Sequence, residues 1–396
     1  KRVDSHTVDV ITKVPFPILP DVFSGVLIMS KKWCEENRAE KPVDKRKGVE
    51  NTASFKANGT GPFRLKSRDP GVRTVMVRNL NYWDKVESNV DEVIFTPIGN
   101  DATRVAALAS GEIDMMQPVP VQDVARLSQN PNLKVLQGPE LRTIFLGMDQ
   151  ARPELLYSNV KGKNPFKDVR VRRAIAHAID QDAIRTQVMR GFSVPTGIVL
   201  PAPDLAGIPK ANQARTPLDL AKAKALLKEA GYENGFEVTI DCPNNRYVND
   251  ERICIAIAGM LAKINIALKV NAMPRTTYFQ KTESLDTSMY LLGWGGATTD
   301  AMFTLQPVLH SRTDEDGIYN WGQVKDAKFD ALIQAARGEI DVPKRQGLII
   351  EAMKYHGDNM FHIPLHRQVI PWATRANVSV VHRADNWLEV VWVSVK

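Results

Sequence analysis

The stretch at 165–195, PFKDVRVRRAIAHAIDQDAIRTQVMRGFSVP, most narrows what this chain can become. Asp168 can accept a hydrogen bond from the orphan N–H groups of a helix that begins just after it. Val171, Ala174, Ile175, Ala178 and Ile179 then recur at helical spacing, and Arg170, Arg172 and Arg173 take the other faces. Asp180 ends that helix and caps a second one with Ile184 and Val188 as its apolar positions; Gly191 supplies the left-handed residue that stops it. The pattern predicts two short helices at a sharp angle, docked by one side on something large.

A chain of 396 residues exceeds one ordinary core, so two lobes are expected. Its 43% hydrophobic and 24% charged content reads as soluble and globular, with no apolar run near the ~18–20 residues of a membrane span. The net charge of +7 comes from Lys and Arg spread along the chain, without a basic block alternating with aromatics. No nucleic-acid partner is expected. The three cysteines, Cys34, Cys242 and Cys254, form no CxxC pair. Cys254 on an apolar helix face reads as a small buried thiol, and a Cys242–Cys254 disulfide stays open as the alternative.

At the start, His6, Val8 and Val10 alternate with polar residues as a strand would, and 35–50 reads as a charged loop or frayed helix. Strands are predicted at 74–79 and 92–97, and helices at 102–109, stopped by Gly111, and 119–128. The segment 133–149 is apolar on both faces and reads as a buried strand passing from one core to the next. A βαβ unit follows: strand 236–242, a helix with Ile253, Ile257, Leu261 and Ile264 inward, and return strand 267–270, a parallel pair. Before it, Thr216 reads as the cap of a helix with Pro217 at its first position and Gly231 as its stop. Strand 288–292, helices 326–337 and 344–358 and strand 361–365 complete the second lobe, and 366–396 returns to the first.

Enzyme chemistry finds little support. His362 and His366 share a zinc-like spacing, but Pro364 breaks the helix that would align their rings, so no metal site is expected. Gly59–Gly61 lacks the Gly-Lys-Ser/Thr of a phosphate loop, and no G-x-S-x-G elbow occurs. A binding site has more to rest on. Trp294, Gly295, Gly296, Ala297, Thr298 and Asp300 follow a predicted strand end, where open α/β sheets hold ligands. Small residues after an indole let a ligand approach the backbone; the competing reading makes Trp294 a core residue beside a tight turn. Arg142 and Thr143 on the crossing strand are further candidates, as are Asn245, Arg246 and Tyr247 after strand 236–242. Asn320 and Trp321 in a YNWG turn, and His366, Arg367 and Gln368 on the return, complete the set; each has an ordinary scaffold reading beside it.

NPFKDVRVRRAIAHAID followed by IRTQVMRGFSVP resembles a signature of peptide-type extracellular solute-binding proteins, family 5, the periplasmic receptors of ABC importers. GTGPFRLKSRDPG, NYWDKVESNVDEVIFTPI, ALASGEID and DLAKAKALLKEAGYENGFEVTI match in family order. The resemblance implies an α/β, two-lobe periplasmic binding protein fold with a ligand cleft between the lobes. It makes 1–58 the remnant of a small extra domain, 59–138 an incomplete first lobe, 139–365 the second, and 366–396 the return. It also implies an N-terminally truncated chain, a peptide-like or other small solute captured by hinge closure, permease subunits as partners, a monomer and no cofactor. A periplasmic sensor or chaperone-like protein is the alternative, and a hydrolase a further one. Peptide-binding relatives place an acid a few residues after the Trp, where it pairs with the ligand's α-ammonium. Here that position is Ala297, and the nearest acid is Asp300.

Overall fold

The computed structural model describes residues 1–43, 49–296 and 298–396. It divides into two compact units, 24–138 with 370–396, and 1–23 with 139–369. Residues 1–23 therefore group with the larger unit rather than with 24–58 as one small domain. The later boundary falls after Val369 rather than after Leu365. The expected first strand is absent: Arg2 and Val8 form one isolated bridge, and Val8 and Val10 stay exposed because no neighbouring strand covers them. Helix α1 (Leu19–Phe23) follows, then α2 (Lys31–Glu36), capped by the Ser30 hydroxyl.

In the smaller unit, β1 (Phe63–Asp69), β2 (Arg73–Arg78) and β3 (Glu92–Phe95) form an antiparallel sheet that leaves Ile94 and Phe95 exposed. Helix α3 (Asp101–Ser110) is capped by Asn100 and ends at Gly111 in the left-handed conformation. After β4 (Met115–Met116), helix α4 covers only Val124–Ser128. The expected helix from 119 is not formed there: Val119 donates its N–H to the Pro371 carbonyl at 2.8 Å, and helical structure begins only at Val124. Strand β5 (Leu133–Met148) begins here and has its last six residues buried, as its double-sided apolarity predicts.

In the larger unit, α5 (Val169–Ala178) starts where Asp168 accepts the Arg170 N–H, and α6 (Gln181–Ala183) where Asp180 accepts the Ala183 N–H. A wider turn, Ile184–Val188, and Gly191 at φ 91° end the motif ahead of β6 (Ser193–Pro195). Arg170 and Arg173 face outward, but Arg172 is buried, a correction to its expected place. Its guanidinium donates to the carbonyls of Phe166, Lys167, Asn359 and Met360 at 2.6–3.0 Å, an arrangement helical spacing cannot reveal. Helix α7 (Leu220–Glu229) is capped by Asp219 and not by Thr216, the cap lying one turn later than the proline suggested.

Strand β7 (Phe236–Pro243), helix α8 (Asp250–Ala262) and β8 (Ile266–Met273) form the expected parallel unit, paired from Phe236↔Ile266 to Pro243↔Met273. Cys242 and Cys254 are joined by a disulfide, so the free-thiol reading of Cys254 is corrected. Helix α9 (Arg275–Glu283) leads to β9 (Met289–Gly295), which pairs antiparallel with β5 and parallel with β7. Helices α10 (Met302–Thr304), α11 (Ala327–Gly338) and α12 (Val342–Asp358) precede β10 (Ile363–Arg375), longer than the strand expected at 361–365. Here the strand order is β10-β5-β9-β7-β8, with β6 on β10. One face of this sheet packs Ile144, Leu146, Met289 and Leu291 with α5 and α8; the other packs Phe145, Tyr290 and Leu292 with α11 and α12.

The remainder of the smaller unit is short: Ala373 and Thr374 of β10 pair with β4, and β11 (Val378–Ser379) pairs with β12 (Ser394–Val395). Among the described residues no helix is long and apolar enough to cross a membrane.

Candidate functional site

The register of β5 and β9 sorts the expected site residues onto two faces. Residues opposite each other in a strand pair share a face, so Arg142 goes with Gly295 and Thr143 with Trp294. Arg142, Arg246, Tyr247 and Gln368 come together on one side; Trp294, Thr143 and Asp300 do not join them.

On the first side, β7 and β9 pair only at Ile240↔Met289 and Asp241↔Tyr290 and then separate. Tyr247 fills the gap: a Cβ on Gly293 would stand 2.5 Å from its ring, so this packing requires a glycine. The guanidinium of Arg246 lies 4.9 Å from the Tyr247 ring centre and that of Arg142 lies 5.7 Å from it. Arg142 is neutralised, donating from Nε to the buried Glu140 at 3.0 Å and from Nη1 to the Gly293 carbonyl at 3.1 Å. Gln368 completes this network, donating to the other Glu140 oxygen and accepting the Val248 N–H at 3.2 Å. Glu140 was missed from the sequence, where nothing distinguishes it from a surface acid.

Arg246 differs. Among the described residues its half-buried guanidinium has no hydrogen-bond acceptor and no carboxylate partner. Burial, and then the Arg142 charge beside it, push it below its usual pKa. Its backbone is held instead: Asp250 accepts the N–H groups of Arg246 and Tyr247, each at 2.9 Å. Asn245 is occupied, its side-chain oxygen accepting the Arg275 N–H at 2.8 Å. An unpaired, partly desolvated cation beside a second arginine can accept an anionic group of a ligand.

On the other side, Trp294 is half-buried among core residues, its ring 4.9 Å from Tyr319. Its indole N–H donates to the Phe303 carbonyl at 2.9 Å, so the donor expected to serve a ligand is spent inside the protein. The small residues beside it answer to the chain itself: a Cβ on Gly295 would meet the Leu141 carbonyl at 2.7 Å, and one on Gly296 the Thr298 carbonyl at 2.6 Å. Asp300 is committed too, accepting two bonds from Arg345 at 2.8 and 2.9 Å and the Met302 N–H at 2.8 Å. Ala297 lies outside the described residues. Thr143 is fully buried, its hydroxyl unpartnered among the described residues. Asn320 is a buried turn residue bonded to the backbone of His310 and Val324, and Trp321 is core.

His366 is buried with neither ring nitrogen partnered among the described residues, and burial lowers its pKa to about 3. His356 and His362 are also buried, 3.0 Å apart between ring nitrogens; burial takes His356 to about 3 and His362 well below its usual value. All three fold as neutral rings, whereas an unfolded histidine titrates near 6.5. Between that value and about 3 the unfolded chain binds more protons, so stability is full above pH 6.5 and falls as pH drops through this window. Urea midpoints measured from pH 7 to 4 are expected to fall, and the fall to be shallower in His356→Asn. Equal slopes in the two proteins would remove His356 from this account.

The family model for bacterial extracellular solute-binding proteins, family 5 Middle, matches residues 1–316. The chain belongs to this family. The glutathione-binding protein GsiB of Salmonella choleraesuis strain SC-B67 is 27% identical to this family 5 chain over 304 residues, covering 75% of the chain and 56% of GsiB. GsiB of Shigella boydii serotype 4 is 26% identical, covering 85% of the chain and 62% of its own length. This family 5 chain thus spans little more than half the length of the curated relatives it matches. The structure of the ABC transporter-associated periplasmic binding protein DppA from Helicobacter pylori, in complex with peptide STSA, superposes with a TM-score of 0.80 at 25% identity over 97% of the chain and 71% of DppA. AgaA from A. tumefaciens R10 superposes at 0.79 with 22% identity over 97% of the chain and 74% of AgaA. The fold is that of periplasmic binding proteins.

Proposed function

We propose that this chain is the solute-capturing part of the periplasmic binding component of an ABC importer, handing its solute to permease subunits. The solute carries a carboxylate or similar anion and lacks a free α-ammonium, or presents it elsewhere. The observation that carries this is Arg246, a partly buried guanidinium with no hydrogen-bonded or ion-paired partner among the described residues, backed by Tyr247 and Arg142. The missing ammonium partner supports the second half. Alanine stands at position 297, and the Asp300 carboxylate is already paired with Arg345. A desolvated ammonium needs such a partner, worth roughly 1.5–3 kcal/mol as a charge-assisted hydrogen bond. Gly295, which faces Arg142 across the strand pair, is proposed as a backbone contact of the same solute, whereas Trp294 on the other face is not.

Titration calorimetry with dialanine, N-acetyl-dialanine and N-acetyl-dialanine amide tests the reading. Dialanine and its acetylated form are expected to bind equally and weakly, and the amide about tenfold more weakly still. Tight binding of dialanine, lost on acetylation and lost again in Asp300→Ala, would overturn it and make Asp300 the ammonium partner. Glutathione is a natural fourth titrant, because the GsiB relatives carry its name.

A further inference from the structure

The segment that presents Arg246 is closed by a covalent ring. Cys242, near the end of β7, is bonded to Cys254 of α8 across a sequence separation of 12, and both residues are fully buried. The ring encloses Asn245, Arg246, Tyr247 and Asp250, the residues that make or hold the unpaired guanidinium. Its position in the sheet matters. Strand β9 accompanies β7 only as far as Asp241, so from Cys242 onward β7 has a strand neighbour on one side alone, β8. The disulfide ties β7 to α8 one residue past that split.

Inside the ring the backbone is restrained again. The buried Asp250 carboxylate accepts the N–H groups of Arg246, Tyr247 and Glu251, and Asn249 takes the left-handed conformation at φ 54°. The Arg246 side chain has no hydrogen-bond partner among the described residues. A fixed backbone carrying an uncommitted charged group is how a binding loop avoids an ordering cost when its ligand arrives. A cross-link removes alternative loop conformations in the same way.

We propose that the Cys242–Cys254 disulfide is a positioning element for ligand capture, holding the Arg246–Tyr247 segment in its anion-accepting conformation before the solute binds. The proposal rests on reading Arg246 as the contact to the solute's anion.

The test compares the wild-type chain with Cys242→Ala/Cys254→Val, which keeps an apolar filling in place of the disulfide. Amide exchange is read at Arg246 and Tyr247 and, as a control, at Val238 and Ile240 within β7. The expected result is exchange at least tenfold faster at Arg246 and Tyr247 with β7 unchanged. Affinity for N-acetyl-dialanine should fall tenfold, and that for its amide should not change. Unchanged exchange at Arg246 and Tyr247 overturns the proposal, as does a uniform loss of protection along β7 and β8, which would make the disulfide a general staple. If neither protein binds the acetylated acid, the reading of Arg246 fails, and the exchange contrast still decides the positioning role. Should the variant not fold, the same contrast is read on the wild-type dithiol form, produced in a reducing cytosol and kept under a phosphine.

Discussion

Arg172→Met is expected to destabilise the larger unit by about 3–5 kcal/mol, the scale found when a buried charged partner is removed and the groups it served stay behind. Four backbone carbonyls converge on this guanidinium: those of Phe166 and Lys167 before α5, and those of Asn359 and Met360 after α12. A buried acceptor left unpaired costs roughly 1–3 kcal/mol, so partial relaxation still leaves a large loss. Burial lowers the guanidinium to about 10, which keeps it charged at neutral pH. Arg172→Lys should recover little, because three donors on a point-like ammonium cannot span four carbonyls arranged for a planar fork. Urea unfolding of both variants measures this. A loss below about 1 kcal/mol in Arg172→Met would mean that the carbonyls find water or other donors.

Arg246→Ala should act in the opposite register, abolishing recognition while sparing the fold. With no hydrogen bond or ion pair to lose among the described residues, the side chain contributes its packing on Tyr247 and a repulsion from Arg142 that truncation relieves. Thermal unfolding is expected to shift little. Affinity for an anionic solute should fall about 10–100-fold, the range given by a charge-assisted hydrogen bond at roughly 1.4 kcal/mol per factor of ten. Calorimetry with N-acetyl-dialanine makes the comparison. An Arg246→Ala protein that binds as well as wild type but unfolds far more easily would return Arg246 to the scaffold.

Features legible in the sequence are those whose causes lie within a few residues. Asp168 and Asp180 cap helices because their carboxylates reach N–H groups two and three residues on, and Gly111 and Gly191 stop helices because they tolerate positive φ. Alternation in 236–242 and helical spacing from Ile253 to Leu261 were enough to specify the parallel β7–α8–β8 unit. Five short motifs in order pointed to the family.

Tertiary structure decided what depends on partners distant in the chain. The face of the sheet to which Trp294 belongs follows from its register opposite Thr143, and a slip of one residue would have put it beside Arg246. A sequence separation of 45 between Asp300 and Arg345 hides the pairing that removes Asp300 from ligand chemistry. A separation of 228 between Glu140 and Gln368 hides the network around Arg142. Helical spacing alone points Arg172 outward, but the carbonyls it serves include two that lie more than 180 residues away. Local patterns state which way a helix or strand is amphipathic; the identity of a buried charge's partner is set only when the chain brings its distant segments together, because a buried charge is tolerable only where those partners are.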